Sequence, residues 1–422
     1  MPDKPSLLFV NQHYYPDFAS TGQHLTDLAE YLAAEGYDVS VLCSQGKYLA
    51  GQLEVPKREV HNGVTIRRVK ATSFGRGTHL GRLVDYASFY GQVLLRMLGG
   101  KRYDYVVMLT TPPLLGFLGS VARKLRGQRY GIWSMDLHPD AEEALGMLEP
   151  DQLITKALHA FNDAGYRNAE FVVDLGEYMK RRIEAKGVDR ERLHTVPVWS
   201  RQDEIEPLPR EENPLLKAWG LGDKFVVMYS GNAGLAHRFD EVLEAMRTLK
   251  DHPDLFFLFV GGGPRKQEII DYAEAHGIAN FRYLDYLPRE QLRYSLSAAD
   301  VHLLTLRSDM AGIAVPGKLY GIMAAGRPVL MVGPEESEPA QTILTERVGA
   351  VVDPDAVKDA DTRIVEVLTA LHDHTELREE QGMRGRAAFL RSYEQGVACA
   401  MWDDLLQQVE RSRTNGHAAV PA

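Results

Sequence analysis

The chain has 422 residues, of which 45% are hydrophobic and 25% are charged, and these globular proportions exclude a disordered, collagen-like or coiled-coil protein. The net charge of −10 lies in the second half, because residues 1–200 carry 24 Lys and Arg against 23 Asp and Glu, whereas residues 201–422 carry 24 against 35. Neither half is therefore a basic nucleic-acid-binding domain. Two cysteines, Cys43 and Cys399, exclude a disulfide framework and a cysteine-rich zinc module, and they suit a reducing cytoplasm.

The first half alternates short apolar runs with helical patterns, as chains of βαβ units do. The predicted strands are Ser6–Val10, Asp38–Cys43, Tyr105–Leu109, Tyr130–Trp133, Phe171–Asp174 and Leu193–Pro197. The predicted helices are His24–Glu35, Leu114–Leu125 and Gln152–Asn168. This alternation predicts a parallel sheet covered by helices.

Two features bear on membranes and targeting. Met1–Pro5 runs directly into apolar residues without a cleavage-site pattern, so no secretory signal is expected. No run of 18 apolar residues occurs, so no transmembrane helix is expected. The semi-apolar stretch Leu80–Leu98 is interrupted by charges and predicts an amphipathic helix. With Arg76 and Arg82, it is open to interpretation as a peripheral membrane helix, a core helix or a dimer helix.

The second half repeats the same order of elements. Its predicted strands are Lys224–Tyr229, Leu255–Val260, Phe281–Leu284, Val301–Leu304, Pro328–Val332 and Ala350–Val352, with helices at Phe239–Leu249 and Pro264–His276. A polar, proline-rich stretch separates the two halves, which predicts an interdomain linker. The predicted divisions are an N-terminal domain 1–198, a linker 199–214, a C-terminal domain 215–392, a C-terminal helix 393–411 that packs back on the N-terminal domain, and a flexible tail 412–422.

In open parallel sheets, ligands bind where strands end, so the loops that follow strands are the informative ones. The first half contains two such loops. Asn11–Gly22 is long and has a glycine near the start of the next helix, and Asp136–Pro139 contains Asp136 and His138. Each is equally open to a structural interpretation, as a surface loop or a structural histidine. The dinucleotide fingerprint GxGxxG is absent from the first of these loops.

The second half holds the stronger candidates. Tyr229–Asp240 combines small residues with His237 and Arg238 near a helix start, which favours an anion site over the alternative of a capped helix with a solvated arginine. The glycines of Val260–Pro264 let a flat group approach the backbone, or make a simple turn. Pro316–Val329 is the strongest signal, because Lys318 opens a helix of small residues and suits a diphosphate.

Motifs of hydrolytic enzymes do not occur in the sequence. The chain contains no GxSxG, no HExxH and no P-loop. A glycosidase-type carboxylate pair is assembled by the fold, so the sequence leaves that alternative open.

Together these segments resemble the retaining glycosyltransferases of family 4. The motifs that carry the resemblance are YYPDFASTG, TTPP, DLHPD, VPVWS, YSGNAGLAHRFD, FVGGGP, YLDYLP, AADVHLL and PGKLYGIMAAGRPVL. They are most similar to transferases of bacterial surface polysaccharides, such as the colanic-acid and N-acetyl-fucosamine enzymes. The resemblance implies an α/β chain of the GT-B fold, with two doubly wound, Rossmann-like domains facing across a cleft. It also implies that the N-terminal domain binds the acceptor and the C-terminal domain binds the nucleotide sugar.

Carried over residue by residue, the resemblance implies a set of site residues. The expected catalytic residues are Lys318, Arg238, Asp136 and His138, of which Asp136 falls where many members have a histidine near the donor sugar. The expected donor-binding residues are Gly22, Gly231, Asn232, His237, Gly261, Gly262, Tyr286, Leu287, Lys318, Leu319 and Glu338. His138 has no standard counterpart in the family.

This sequence departs from the family at four positions. Asn232 and His237 stand where the family usually has an arginine and a lysine on the diphosphate. The family's paired glutamates, the second of which binds ribose, would fall near Ile313 and Gly321, and neither is acidic. Glu338 or Asp309 is then the candidate ribose ligand.

The resemblance implies transfer from a nucleotide diphosphate sugar with retained configuration, at the cytoplasmic face of the plasma membrane. A UDP-sugar is favoured as donor, and the acceptor is expected to be a lipid-linked glycan. Neither a cofactor nor a metal is expected. Two alternatives stay open from the sequence, a UDP-sugar 2-epimerase and a non-catalytic scaffold that binds nucleotide sugars.

Overall fold

The computed structural model describes residues 4–17, 19–45, 55–70 and 79–417, which cluster into two compact units. The first unit comprises the described residues up to Pro197 together with those from Ala398 onward. The second unit comprises Val198–Val397.

Within the described residues, the first unit is built on an eight-stranded sheet in the order β3-β4-β2-β1-β5-β6-β7-β8, parallel except for β3. Its strands are β1 Ser6–Val10, β2 Asp38–Ser44, β3 Arg58–His61, β4 Val64–Val69, β5 Tyr105–Met108, β6 Tyr130–Trp133, β7 Val172–Asp174 and β8 Leu193–Thr195. Its helices are α1 Ser20–Ala34, α2 His79–Gly99, α3 Leu115–Arg126, α4 Asp140–Ala144, α5 Leu153–Asn168 and α6 Glu177–Ala185. The central strands are buried and apolar, as strands covered on both faces must be.

The hairpin of β3 and β4 was not predicted from the sequence. Asn62 and Gly63 join the two strands with φ angles of 44° and 81°. An Asn-Gly pair with both φ values positive is the preferred two-residue hairpin turn. The signal was therefore present in the sequence.

The second unit holds a parallel six-stranded sheet in the order β11-β10-β9-β12-β13-β14. Its strands are β9 Phe225–Asn232, β10 Leu255–Gly262, β11 Phe281–Leu284, β12 Val301–Thr305, β13 Val329–Val332 and β14 Gly349–Val352. Its helices are α7 Pro214–Trp219, α8 Asp240–Thr248, α9 Lys266–Ala275, α10 Leu292–Ser297, α11 Lys318–Ala324, α12 Glu338–Glu346, α13 Ala360–Asp373 and α14 Thr375–Ser392, and α15 Gln395–His417 leads back into the first unit.

Residues 199–214, expected to form a linker, lie within the second unit. Ile205 and Leu208 in this segment are 3% and 7% exposed. Arg386 of α14 donates a hydrogen bond to the Ile205 carbonyl at 3.0 Å. Two apolar side chains anchor the segment, although its composition is mostly polar.

Helix α15 packs on the sheet of the first unit through Trp402. The Trp402 ring is fully buried and lies 5.0 Å from the Trp133 ring and 6.4 Å from the Phe9 ring, centroid to centroid. Tyr37 donates a hydrogen bond to Asp403 at 2.5 Å. The helix continues to residue 417, six residues past the predicted end of 411.

We expect Trp402→Phe to destabilise the protein, because the smaller ring leaves a void between β1, β6 and α15. The expected cost is about 1–2 kcal/mol in the free energy of unfolding. Urea unfolding followed by fluorescence measures it. Met401, which is 37% exposed, gives the control, since Met401→Ala should stay within about 0.5 kcal/mol. Equal effects of the two variants would contradict this packing.

Among the described residues, the structure has no helix that is both long enough and apolar enough to span a bilayer. Helix α2 is the predicted amphipathic helix. It buries Phe89 and Val93 but exposes 48% of Val84 and 71% of Leu95. Arg76 lies outside the described residues, and the side chain of Arg82 is likewise not described.

Candidate functional site

The ends of β9 and β10 form a crowded glycine turn. The two strands pair in register, with Gly231 opposite Gly261 and Asn232 opposite Gly262. Gly231 and Gly261 have φ angles of 128° and 141°, which L side chains rarely adopt. A Cβ atom at Gly261 would lie 2.0 Å from the Gly231 carbonyl oxygen, so no side chain fits there.

We expect Gly261→Ala to destabilise the second unit, because its methyl group overlaps the Gly231 carbonyl and its φ is strained. A cost of about 2 kcal/mol would lower the thermal midpoint by about 4–8 °C. Differential scanning calorimetry measures this change. Gly222→Ala is the control, since a Cβ there meets nothing within 4 Å. An unchanged midpoint in Gly261→Ala would show that the turn is not as close as described.

Lys318 reaches across this turn from the first residue of α11. Its Nζ atom donates a hydrogen bond to the Tyr229 hydroxyl at 2.6 Å and lies 4.0 Å from the centre of that ring. A Cβ at Gly231 would lie 3.5 Å from both Cε and Nζ of Lys318, so the ammonium sits beside bare backbone. No described carboxylate of the second unit lies within the 4.0 Å ion-pair distance of Nζ. Burial without a countercharge lowers the pKa of Lys318 to about 7.

His237 completes this cluster as a neutral group. Its Nδ1 lies 2.6 Å from the Thr305 carbonyl oxygen, which can only accept, so Nδ1 carries the hydrogen. Burial, and then the nearby Lys318, lower the pKa of His237 to about 3. The ring therefore presents Nε2 as a lone pair at neutral pH. Its expected role in donor binding stays a prediction.

Arg238 has partners other than this cluster. Its Nε donates to Glu241 at 2.8 Å, and its Nη1 donates to Asp355 at 3.0 Å. Arg265, which the sequence did not single out, donates from Nη1 to the His237 carbonyl at 2.8 Å and so holds the loop after β9. A phosphate role for Arg238 would require its two carboxylate pairs to open, and the assignment stays a prediction.

The remaining predicted donor residues of the second unit surround the turn or lie further along the sheet edge. Gly262 faces the Tyr286 ring, since a Cβ at Gly262 would lie 3.0 Å from Cε2 of that tyrosine, whose side chain is 62% exposed. Leu287 is half-buried against the core near β10, and Leu319 is fully buried. Glu338 is 8% exposed at the start of α12.

The two positions where the family has glutamates are closely packed here. Ile313 is 2% exposed. A Cβ at Gly321 would contact Leu296 at 3.5 Å, and Ile205 and the Ser200 hydroxyl at 3.6 Å. Asp309, one alternative ribose ligand, is ion-paired with Arg307 at 2.5 Å. The buried Glu338 is the other alternative.

The first unit contains the other predicted residues at the ends of β1 and β6. Gly22 lies in the first turn of α1, where a Cβ would come within 3.2 Å of His13. His138 Nδ1 is 2.8 Å from Glu142 Oε1. Burial opposes charge on His138, but its hydrogen bond to the Glu142 carboxylate and the attraction of the nearby carboxylates together outweigh burial and raise the pKa of His138, while burial raises the pKa of Asp136. Glu142 lies in α4 and was missed from the sequence, because its partner His138 precedes that helix and the pair is made by the fold of the loop.

Metal ligation has no candidate in the parts of the chain that the structure describes. No group of three or more His, Cys, Asp or Glu side chains is arranged there to hold an ion.

Two parallel-sheet α/β domains, with a glycine turn and a buried lysine at the strand ends of the second, define the GT-B class of glycosyltransferases. Solved structures share this fold. Sucrose-phosphate synthase from Thermosynechococcus elongatus has a TM-score of 0.74 at 15% identity, and the match covers 97% of this chain and 100% of that one. WaaG, a glycosyltransferase involved in lipopolysaccharide biosynthesis, has a TM-score of 0.67 at 18% identity, and the match covers 96% of this chain and 99% of that one. HepE from Anabaena in complex with UDP has a TM-score of 0.71 at 13% identity and covers 96% of this chain and 100% of that one.

Two family models match the chain, the glycosyl transferase 4-like domain over residues 21–199 and glycosyl transferases group 1 over residues 214–387. The chain belongs to glycosyltransferase family 4. It is 25% identical to the putative colanic acid biosynthesis glycosyl transferase WcaI of Escherichia coli, over 88% of this chain and 94% of that protein. It is 28% identical to the probable glycosyltransferase WbjE of Pseudomonas aeruginosa, over 58% of this chain and 60% of that protein's length.

Proposed function

We propose that the chain transfers a hexosyl or N-acetylhexosaminyl group from a UDP-sugar to a lipid-linked glycan, with retained configuration, during synthesis of a bacterial surface polysaccharide. The observation that carries the proposal is the Lys318 ammonium, held beside bare backbone at Gly231 without a carboxylate partner in its unit. A buried cation of this kind lacks a countercharge until an anion binds. The donor diphosphate would supply it.

The comparisons support parts of this proposal. HepE was crystallised with UDP and with UDP-glucose, which supports UDP as the nucleotide. WcaI is named for colanic acid biosynthesis and WaaG for lipopolysaccharide biosynthesis, which supports a surface glycan as product. The exposed Val84 and Leu95 of α2 support peripheral contact with a membrane that carries the acceptor, and flotation with anionic vesicles tests this contact.

In the proposed reaction, the bond between the anomeric carbon and the diphosphate oxygen breaks, and a bond to the acceptor oxygen forms on the same face. The acceptor proton passes to an oxygen of the departing diphosphate. The developing negative charge is stabilised by the Lys318 ammonium, which lies beside the Gly231 backbone. No protein nucleophile is required. We also propose that the reaction needs no metal ion, so that activity should persist in EDTA.

Hydrolysis of a panel of UDP-sugars without acceptor tests the function. We expect slow release of UDP from one of these UDP-sugars. Proton NMR should show that the sugar is first released with the same anomeric configuration as in the donor. Inversion at this carbon would contradict the proposed mechanism. Absence of release from every UDP-sugar, with or without extracted lipid-linked glycans, would contradict the proposed function.

A further inference from the structure

We propose that Tyr229 is a positioning residue for the phosphate-binding lysine, an inference that rests on the proposed donor site. Its hydroxyl holds the Lys318 ammonium over the Gly231 backbone and ties that ammonium to the Asn232 turn. The tyrosine itself would not touch the donor. It would act by fixing where the positive charge lies.

The hydrogen-bond directions at the Tyr229 hydroxyl are fixed by its partners. In its protonated form Lys318 can only donate, so the hydroxyl accepts from it at 2.6 Å. The hydroxyl hydrogen is then available for the Asn232 carbonyl oxygen at 2.9 Å, which can only accept. One oxygen atom therefore joins the cation to the backbone of the glycine turn.

The Tyr229 ring is held rigidly by its surroundings. Its side chain is fully buried, and its ring centre lies 5.0 Å from that of Phe239 and 5.5 Å from that of Phe259. Lysine has four flexible side-chain bonds and loses much entropy when it is held in one place. A buried aromatic anchor reduces that loss before the donor arrives, which is how pre-organised sites gain binding energy.

Among the groups that face this cluster, the Tyr229 hydroxyl is the main one that stabilises the Lys318 charge. His237 lies with its ring centre 5.9 Å from that of Tyr229 and is neutral. Arg265, the nearby cation, is paired with Glu268. Tyr283 and Tyr286 are close enough to interact electrostatically with Tyr229, and both are uncharged phenols at neutral pH. Loss of the Tyr229 hydroxyl should therefore make the Lys318 ammonium easier to deprotonate.

Tyr229→Phe removes one oxygen and retains the buried ring, so it tests positioning without disturbing the core. UDP affinity is measured by calorimetry from about pH 6.5 to about pH 9, where a terminal phosphate of pKa about 6 is mostly ionised. Wild-type affinity should fall on the alkaline side, and Tyr229→Phe should move that fall about one pH unit lower, giving about tenfold weaker binding near pH 8.5. Tyr272→Phe is the matched control, because its hydroxyl bonds Glu244 at 2.5 Å, and its profile should be that of wild type.

Three results would overturn the inference. If Tyr229→Phe weakened UDP affinity by the same factor at every pH, its pH profile would be parallel to that of wild type, and the tyrosine would have a structural role only. In Lys318→Arg the guanidinium keeps its charge throughout this range, so adding Tyr229→Phe should create no alkaline fall, and a fall in the double variant would also contradict it. Wild-type protein that binds no UDP at any pH would instead overturn the proposed donor site and this inference together.

Discussion

Lys318→Met is expected to lower kcat for UDP release by about 100–1,000-fold, the usual effect of removing one preorganised group that stabilises developing charge. Methionine keeps the length and apolar volume of the side chain, so the packing above Tyr229 is retained. The loss should appear mainly in kcat, because the charge on the diphosphate oxygen grows as the bond to the sugar breaks. Steady-state UDP release from the active UDP-sugar measures it.

Lys250→Met is the control for this substitution. Lys250 lies on the same unit, and its Nζ makes only a long contact of 3.4 Å with the His276 carbonyl. Its variant should keep wild-type turnover. If Lys318→Met kept wild-type turnover as well, Lys318 would not stabilise the charge on the leaving diphosphate.

UDP affinity is expected to fall by about 50-fold between pH 7 and pH 9, in proportion to the protonated fraction of Lys318. Burial sets the pKa of this amine to about 7 in the free protein. A bound diphosphate favours the charged amine, so its pKa rises on binding, and the protein takes up protons at pH values between the pKa of the free amine and that of the bound amine. Calorimetry in two buffers of different ionisation enthalpy measures that uptake directly.

The pH dependence of UDP affinity distinguishes Lys318 from the neighbouring His237. His237, with a pKa of about 3, remains neutral over the whole range and contributes no slope. Lys318→Arg should therefore bind UDP with an affinity that does not change between pH 7 and pH 9. An unchanged wild-type affinity over that range would mean that Lys318 keeps its proton in the free protein or lies away from the nucleotide.

The order of strands and helices was predictable because its signals are local. Apolar runs, glycine ends and helical periods identified the parallel strands of both units except β4, and the motif around Lys318 identified the lysine at the start of α11. The hairpin at Asn62 and Gly63 was missed although its turn signal was present. It was overlooked because its strands are short and partly exposed.

The partners of the site residues depend on the fold, so the sequence could not provide them. Tyr229 meets Lys318 across 89 positions of chain, and His237 meets Thr305 across 68. Arg238 was assigned to phosphate by its position alone, but its guanidinium is paired with Glu241 and Asp355. Only the packing of α8 against its neighbouring loops decides which of these partners an arginine reaches.

The most direct test of the phosphate site is thermal stabilisation by UDP, GDP, ADP and dTDP in wild type, Lys318→Met and Lys250→Met. A ligand at about 100 times its Kd should add about 2.7 kcal/mol to the stability of the protein that binds it. The account predicts that UDP stabilises wild type and Lys250→Met, and that Lys318→Met loses most of this stabilisation. Stabilisation of Lys318→Met equal to that of wild type, or of none of the proteins by any diphosphate, would contradict a donor site at Lys318.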